Sequence, residues 1–332
     1  MIIALLSGLV SFLLVIILTP WFVKFMKRLG LVVKDMNKKD TPLVPLSGGI
    51  VVLAGLLLGI FVYVFFRIFF FKEGYLYLDD RGLSILLASL CSIILVTFIG
   101  FLDDIVIRGD KSESHGLRQW QRPLLTLFAA VPLMAVSAGT SKVLLPFIGT
   151  VDFGIFYALV LIPIGFVGAS NMVNLFAGFN GLESGMGIIY IGMLGLYAYV
   201  HGIYLVALIC LMALFALIGF IIYHWTPAKI LAGDSLTYLL GGLIAVAAIV
   251  GNMERAALVA SIPFIIEFIL KIRGKLKVKS YGYYKDGKIQ SYYKEIYSIP
   301  HIFTRTGRFT EKQVVFFCIL ISLFFSSLIW FI

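Results

Sequence analysis

Uncharged apolar runs alternate with short polar clusters along the whole sequence, and the runs have the length of membrane-crossing helices. An α-helix rises about 1.5 Å per residue, so roughly 20 apolar residues cross a hydrocarbon core about 30 Å thick. The pattern predicts ten spans, at 2–22, 46–66, 83–102, 123–140, 155–173, 184–200, 203–223, 235–251, 256–270 and 313–331. The sixth and seventh share one charge-free run that is too long for a single crossing and divides at His201 and Gly202. The ninth is short and carries Glu267. Because apolar runs recur along the whole length, the first is read as a span and not as a cleaved signal. The expected fold class is an all-α integral membrane protein of about ten transmembrane helices, a single domain over 1–332 whose longest polar loop is 271–312. Neither an internal repeat nor a low-complexity tract is visible.

Composition agrees, and charge adds an orientation. Hydrophobic residues make up 61% of the 332 positions and charged residues 13%, against about 25% charged in soluble domains, which excludes a water-soluble fold. The loops after spans 1, 3, 5, 7 and 9 hold 22 of the 27 Lys and Arg, while the other side keeps Arg67, Lys72, Arg81, Lys142 and Arg255. Cytoplasmic loops are the ones enriched in Lys and Arg, so the basic loops are expected in the cytoplasm and both termini outside. The net charge of +10 is then explained by topology and by anionic headgroups, and nucleic-acid binding loses its motive. Cys91, Cys210 and Cys318 all lie in apolar runs; three cysteines without short spacing make neither a disulfide frame nor a zinc site and read as packing residues.

Two loops carry hairpin signals. On the outer side, Val143 to Gly154 has two short apolar runs around Gly149 and Thr150. In the last cytoplasmic loop, Tyr281 to Tyr284 and Ile289 to Tyr293 flank Lys285-Asp286-Gly287-Lys288, so a small β-hairpin is expected around the Asp-Gly turn.

A carboxylate left unpaired at membrane depth costs about 2.5–3.5 kcal/mol, so polar groups at the span ends need a partner or a task. Span 3 ends in Asp103-Asp104, followed by Arg108, Lys111, Arg118 and Arg122. Two adjacent acids call for a nearby cation or a shared proton, unless they merely begin a solvated loop. Span 5 runs into Ser170-Asn171-Met172-Val173-Asn174-Leu175-Phe176-Ala177-Gly178-Phe179-Asn180-Gly181-Leu182-Glu183. Asn171 and Asn174 share a helix face at i, i+3, and Gly178 and Gly181 permit close approach of backbone to a ligand; the alternative for the Asn residues is hydrogen bonding between helices. Asp234, just before span 8, is either a ligand or a helix cap. In the last loop His301, Arg305 and Arg308 can meet an anion or form a solvated basic surface. Carboxylate and amide oxygens from Asp103, Asp104, Asn174 and Asp234 suit a hard cation such as Mg²⁺, and the lack of His or Cys pairs argues against zinc. Such a site ringed by bases at headgroup level is what phosphoryl transfer between a nucleotide and a lipid phosphate requires.

Four stretches, Asn171 to Glu183 (NMVNLFAGFNGLE), Phe101 to Asp104 (FLDD), Pro45 to Ile50 (PLSGGI) and Gly233-Asp234, resemble the polyprenyl-phosphate N-acetylhexosamine-1-phosphate transferases, in order and spacing across nearly the whole chain. The resemblance implies a transferase that joins a UDP-N-acetylhexosamine to an isoprenoid phosphate, releasing UMP, with Mg²⁺, or Mn²⁺ in its place, bound at the cytoplasmic face. By matching position, Asn174 and Asp234 resemble the metal ligands. Asp103 and Asp104 resemble the acids that position or deprotonate the lipid phosphate, and Gly178 and Asn180 resemble part of the uridine site. Asn171 and Glu183 belong to the same block and are expected on the substrate side with Arg305 and Arg308. Arg122 stands where many members have a Lys that contacts the diphosphate, with Lys111 as its rival. Leu231 departs from the family's usual Phe, and Ile107 from an acid often found after the Asp pair. His301 resembles the last-loop histidine of bacterial members, whereas the hairpin loop and the NGLE block are closer to the dolichyl-phosphate branch.

The expected partners are therefore a UDP-sugar, a polyprenyl or dolichyl phosphate and the bilayer, with a homodimer left open and the plasma membrane of a prokaryote as the expected location. UDP-MurNAc-pentapeptide is the alternative donor. A secondary transporter is the rival class, but transporters usually show repeats and broken helices with polar groups near mid-bilayer, and the clusters here sit at span ends.

Overall fold

A computed structural model describes residues 2–70, 79–106, 116–145 and 149–332. Helices occupy each apolar run. They are α1 (Ile2–Arg28), α2 (Gly48–Phe69), α3 (Asp80–Val106), α4 (Gln121–Ala135), α5 (Ile162–Leu175, entered through a π turn Tyr157–Leu161), α6 (Leu182–Val200), α7 (Tyr204–His224), α8 (Gly233–Gly251), α9 (Glu254–Ala260), α10 (Ile262–Arg273), the short α11 (His301–Thr304) and α12 (Glu311–Ser327). Seven of these segments are long and apolar enough to cross a membrane, α5 counting with its π turn and α12 with the residues after it. The chain is thus an integral membrane protein. Three of the ten predicted spans fall short of that measure. α4 has 15 residues, and the ninth is broken at Ser261 into α9 and α10, with Pro263 in the first turn of the second piece. α6 has the length but is diluted by Glu183, Ser184 and four glycines.

Burial sorts the helices. In α8, 78% of the most apolar window is inside the protein, against 28% in α1, so α8 is the axis of the bundle and α1 lies at its edge. Two membrane helices have no hydrophobic drive to associate and rely on close backbone approach at small residues. Gly100 of α3 provides one such contact: a Cβ there would strike the backbone of Asp234 at the start of α8. The C-terminal ends of α3, α5, α7 and α10 and the N-terminal ends of α4, α6, α8 and α12 gather at one face of the bundle. That is the face on which the polar clusters of the sequence lie.

Among the described residues, three two-stranded antiparallel hairpins decorate the bundle. Lys142–Leu145 pairs with Gly149–Asp152, so Gly149 and Thr150 stand in the second strand and not at the turn expected between two apolar runs, whereas Tyr283–Lys285 pairs with Lys288–Gln290 around the expected Asp-Gly turn. In the second, Asp286 and Gly287 both take positive φ, 49° and 81°, the geometry that Asp-Gly favours in a two-residue turn. A third hairpin, Val32–Lys34 with Leu43–Pro45, lies in the first loop and has no such signal, because its connection is long and lacks an Asn-Gly or Asp-Gly pair.

Candidate active site

The site grows from the start of α8. Leu231 N–H donates to Pro45 O at 2.8 Å, and Gly48 N–H donates to Leu231 O at 3.1 Å, so the Pro45 to Ile50 stretch is laced onto the loop before α8. Gly233 has φ of +70°, and a Cβ on it would run into the Asp104 carboxylate. The reason is a cap supplied from outside the helix. Asp104 Oδ1 accepts the backbone N–H of Asp234 at 2.7 Å, and Oδ2 accepts that of Ser235 at 3.2 Å. The first N–H groups of a helix have no partner within it, and an anion suits that end. The cap that the sequence offered as an alternative role for Asp234 therefore belongs to Asp104; no side chain of α8's own N-cap residue takes part.

Freed from capping, Asp234 faces the other functional groups. Its Oδ2 lies 3.5 Å from Arg122 Nη2 and 3.4 Å from Asn174 Nδ2. Arg122 in turn forms an ion pair with Asp103, Nε to Oδ2 at 2.8 Å, and Leu117 N–H donates to Asp103 Oδ1 at 2.6 Å. Thr237, one turn along α8, donates to Asn174 Oδ1 at 2.8 Å. Four predicted residues from four helices, Asp103, Arg122, Asn174 and Asp234, thus form one connected layer with Asp104 directly behind it. Asn171 shares the helix with Asn174 but turns elsewhere: its Nδ2 donates to Thr126 of α4 at 3.0 Å and to Val167 O at 2.8 Å, the interhelical role that the sequence left as an alternative. Lys111, the rival of Arg122, lies outside the described residues, as do Arg108 and Ile107.

A second layer surrounds the 178–183 loop. Gly178, at φ of +118°, donates its N–H to Glu183 Oε1 at 2.9 Å, and its carbonyl accepts from Asn37 Nδ2 at 2.7 Å. Glu183 is buried, and its other oxygen is 3.5 Å from His224 Nε2. Gly181 N–H points at His224 Nε2 at 3.4 Å, which assigns the ring proton to Nδ1 and makes it the donor to Ser184 Oγ at 2.8 Å. Glu183 thus shapes the loop from below. Asn180 is held at both ends. Its Nδ2 donates to Asp35 Oδ2 at 2.8 Å and its backbone N–H to Glu311 Oε1 at 3.1 Å. Glu311 also accepts from Thr226 Oγ1 at 2.7 Å and pairs with Lys38, which lies 3.5 Å from Asp35.

Asp35, Asn37, Lys38, His224, Thr226 and Glu311 were not legible as functional. Charged and polar residues in hydrophilic loops need no explanation, and only burial, 4% exposure for Asp35 and 6% for Glu311, sets them apart. The last loop reaches this layer as well. Gly282 N–H donates to Asn37 Oδ1 at 3.3 Å, and the Tyr281 ring lies against Gly178, where a Cβ would be 3.2 Å from it. Buried Glu267 fastens the loop by accepting from Ser298 Oγ at 2.6 Å and Ile299 N–H at 2.7 Å, which explains a carboxylate inside the ninth apolar run.

His301 belongs to that fastening. It is fully buried; Nε2 donates to Lys279 O at 3.0 Å, and Nδ1 accepts Tyr297 N–H at 3.3 Å. Burial lowers its pKa to about 4, so the ring is neutral and offers no positive charge to an anion. Arg305 and Arg308 are exposed, and the Arg305 guanidinium donates to Lys294 O at 3.3 Å within the loop. Among the described residues no cluster of three or more His, Cys, Asp or Glu is arranged to hold a metal by itself.

A helical membrane bundle with glycine-set loops and a carboxylate, amide and guanidinium layer at one face defines the class, and comparison with known proteins agrees. The chain belongs to glycosyl transferase family 4, whose model matches residues 86–252. It is 37% identical over 94% of its length to 91% of a protein of Saccharolobus solfataricus named, by inference, UDP-N-acetylglucosamine–dolichyl-phosphate N-acetylglucosaminephosphotransferase. A protein of Sulfolobus acidocaldarius with the same inferred name is 33% identical, with 98% and 94% of the two chains covered. A phospho-N-acetylmuramoyl-pentapeptide-transferase of Bacillus cytotoxicus is 29% identical, with 82% and 83% covered.

Proposed function

We propose that this protein transfers N-acetylhexosamine-1-phosphate, with GlcNAc-1-phosphate as the expected group, from a UDP-sugar to a polyprenyl or dolichyl phosphate, releasing UMP. The observation that carries the reading is the Asp234 carboxylate, whose Oδ2 lies within 3.5 Å of both the Asn174 amide and the Arg122 guanidinium at an end of the bundle. The names of the two archaeal relatives state the same donor and acceptor for those proteins.

In bonds, an oxygen of the lipid phosphate attacks the β-phosphorus of the UDP-sugar, and the bond from that phosphorus to the bridging oxygen breaks, its electron pair leaving on UMP. Both reactants are anions, so the protein must chiefly offset repulsion and hold attacker and phosphorus in line. Arg122 supplies a planar fork suited to phosphate oxygens, and the Asp103 carboxylate is its ion-pair partner at Nε. Asp104 acts from behind by holding the first turn of α8, and with it Asp234. A general base is needed only for a lipid phosphate that arrives as the monoanion, a minor form above a second pKa near 6. Asn174 and Asp234 would hold Mg²⁺, or Mn²⁺ in its place. Asp234 offers a carboxylate oxygen, whereas Asn174 meets it through Nδ2 with Oδ1 taken by Thr237, so the amide would turn over to bring its oxygen to the ion; two such oxygens leave most of an octahedral shell to phosphate and water. When bound, the ion would neutralise charge on the diphosphate.

The same reading puts the site at the cytoplasmic face of a prokaryotic plasma membrane, in one domain of ten crossings, with α4, α6 and the α9–α10 pair completing the seven longer spans. The test is UMP release by the purified protein with a panel of UDP-sugars and polyprenyl phosphates. UDP-GlcNAc is expected to be the preferred donor. Preference for UDP-MurNAc-pentapeptide would select the second reading, which the Bacillus relative motivates; release from no donor would overturn both.

A further inference from the structure

Asn180 is an amide, and an amide can face a ligand with either a donor or an acceptor. A carboxylate has only acceptors to offer. Asp35 forms an ion pair with Lys38 and takes the Asn180 Nδ2 at 2.8 Å, while Glu311 pins the Asn180 backbone N–H at 3.1 Å. Turning the Asn180 amide over would set its carbonyl against the Asp35 carboxylate, so the nitrogen is committed and Oδ1 is what Asn180 can present. We propose that Asp35 is a positioning residue that sets base specificity: by holding Nδ2 it makes Asn180 an obligate acceptor, which reads the N3–H of uracil and rejects the bare N3 of cytosine. The inference rests on the reading that Asn180 faces the base of the nucleotide donor.

The two pyrimidines present opposite groups at that position. Uracil N3 carries a hydrogen and donates, whereas cytosine N3 is a lone pair and would meet Oδ1 as acceptor against acceptor. A free Asn could serve either base by rotating, and so would discriminate little. The ionic group around Asp35 supplies the restraint that a lone Asn lacks. Lys38 keeps a positive charge beside Asp35 and also engages Thr226 Oγ1 at 2.9 Å, and Thr226 donates to Glu311. Asp35, Lys38, Thr226 and Glu311 come from the first loop, the loop before α8 and the start of α12, so three separate segments fix the orientation of one amide.

The experiment compares inhibition of the full-length enzyme by UMP and by CMP for wild type, Asp35→Asn, Asp35→Ser, Asp35→Glu and Asn180→Ala, with thermal stability of each in the same detergent. In Asp35→Asn and Asp35→Ser the new side chain can donate as well as accept, so the Asn180 amide is free to turn. The UMP preference is expected to fall about tenfold, the worth of one hydrogen bond, mainly through tighter CMP binding. Asp35→Glu keeps a carboxylate acceptor and is expected to keep most of the preference. A structural role alone would weaken UMP and CMP together and leave their ratio unchanged, and that result in either Asp35→Asn or Asp35→Ser overturns the proposal. Asn180→Ala separates the two layers of inference. If it leaves the ratio unchanged, Asn180 does not read the base and the underlying reading fails. If it collapses the ratio while the Asp35 variants do not, only the role of Asp35 fails.

Discussion

Asp104 accepts the first two side-chain-accessible N–H groups of α8, which leaves the Asp234 carboxylate for other partners. This division separates stability from chemistry in a way that substitution can test. Asp234→Asn keeps the volume of the side chain and leaves the cap in place, so the thermal midpoint should change little. If Asp234 holds Mg²⁺, turnover should fall by about 10²- to 10³-fold, the usual cost of one lost electrostatic contact in the transition state, and the Mg²⁺ dependence should weaken. Near wild-type turnover at low Mg²⁺ would remove Asp234 from the ligand set. Asp104→Ala should behave differently, because it strands two backbone N–H groups under a packed helix. A loss of about 2–4 kcal/mol is expected, read as a lower thermal midpoint alongside reduced activity. Equal stability of the two variants would contradict the capping assignment. Asp103, Asp104, Asn174 and Asp234 were all legible in the sequence because polar groups at the ends of apolar runs need a reason to be there. Which of them caps and which faces a ligand was not legible, since that depends on where Asp104 of α3 meets α8, a contact across 130 residues of sequence.

At the scale of elements, turn chemistry decided what could be foreseen. The Asp-Gly hairpin in the last loop has its two positive-φ residues where the pair demands them, whereas the hairpin of the first loop, which delivers Asp35, Asn37 and Lys38, depends on tertiary contacts with the 178–183 loop and the α7–α8 connection. The last loop's fold also rests on a neutral histidine. His301 has a pKa near 4 in the folded loop, against an ordinary value of 6.5, so the unfolded chain binds more protons between those limits. Stability from this group is therefore fully present above about pH 6.5 and drains away as pH falls toward 4. His301→Gln keeps a polar side chain without the titration. Wild type should lose thermal stability between pH 7.5 and pH 5 by more than His301→Gln does. The same loss in both proteins would assign the acid sensitivity to other groups. At neutral pH, substitution of His301 is expected to act on donor KM through the loop that carries Tyr281, and kinetics unchanged from wild type would reduce the loop to a lipid-facing surface.

Across the whole molecule, the alternation of helix ends sorts the charges as well as the chemistry. The loops after α1, α3, α5, α7 and α10 contribute the layers around Asp234 and Asn180, and they fall in the sequence segments that hold 22 of the 27 basic residues. Positively charged loops are retained in the cytoplasm, so the candidate site and the basic surface are expected on the same, inner side. A nucleotide sugar made in the cytoplasm would then reach the site without crossing the bilayer. Two exposed positions at opposite ends of the bundle make this testable: Lys285 in the last hairpin and Lys142 in the hairpin between α4 and α5. In a Cys91→Ala background, which removes the one exposed native thiol, each is replaced singly by Cys, and intact cells are treated with a membrane-impermeant thiol reagent. Lys142→Cys should react in intact cells, and Lys285→Cys only after permeabilisation. The reverse pattern would invert the orientation and put the candidate site on the outer face. Labelling of both without permeabilisation would mean that an even number of crossings separates the two positions in place of the five drawn, and the count of ten would have to be revised.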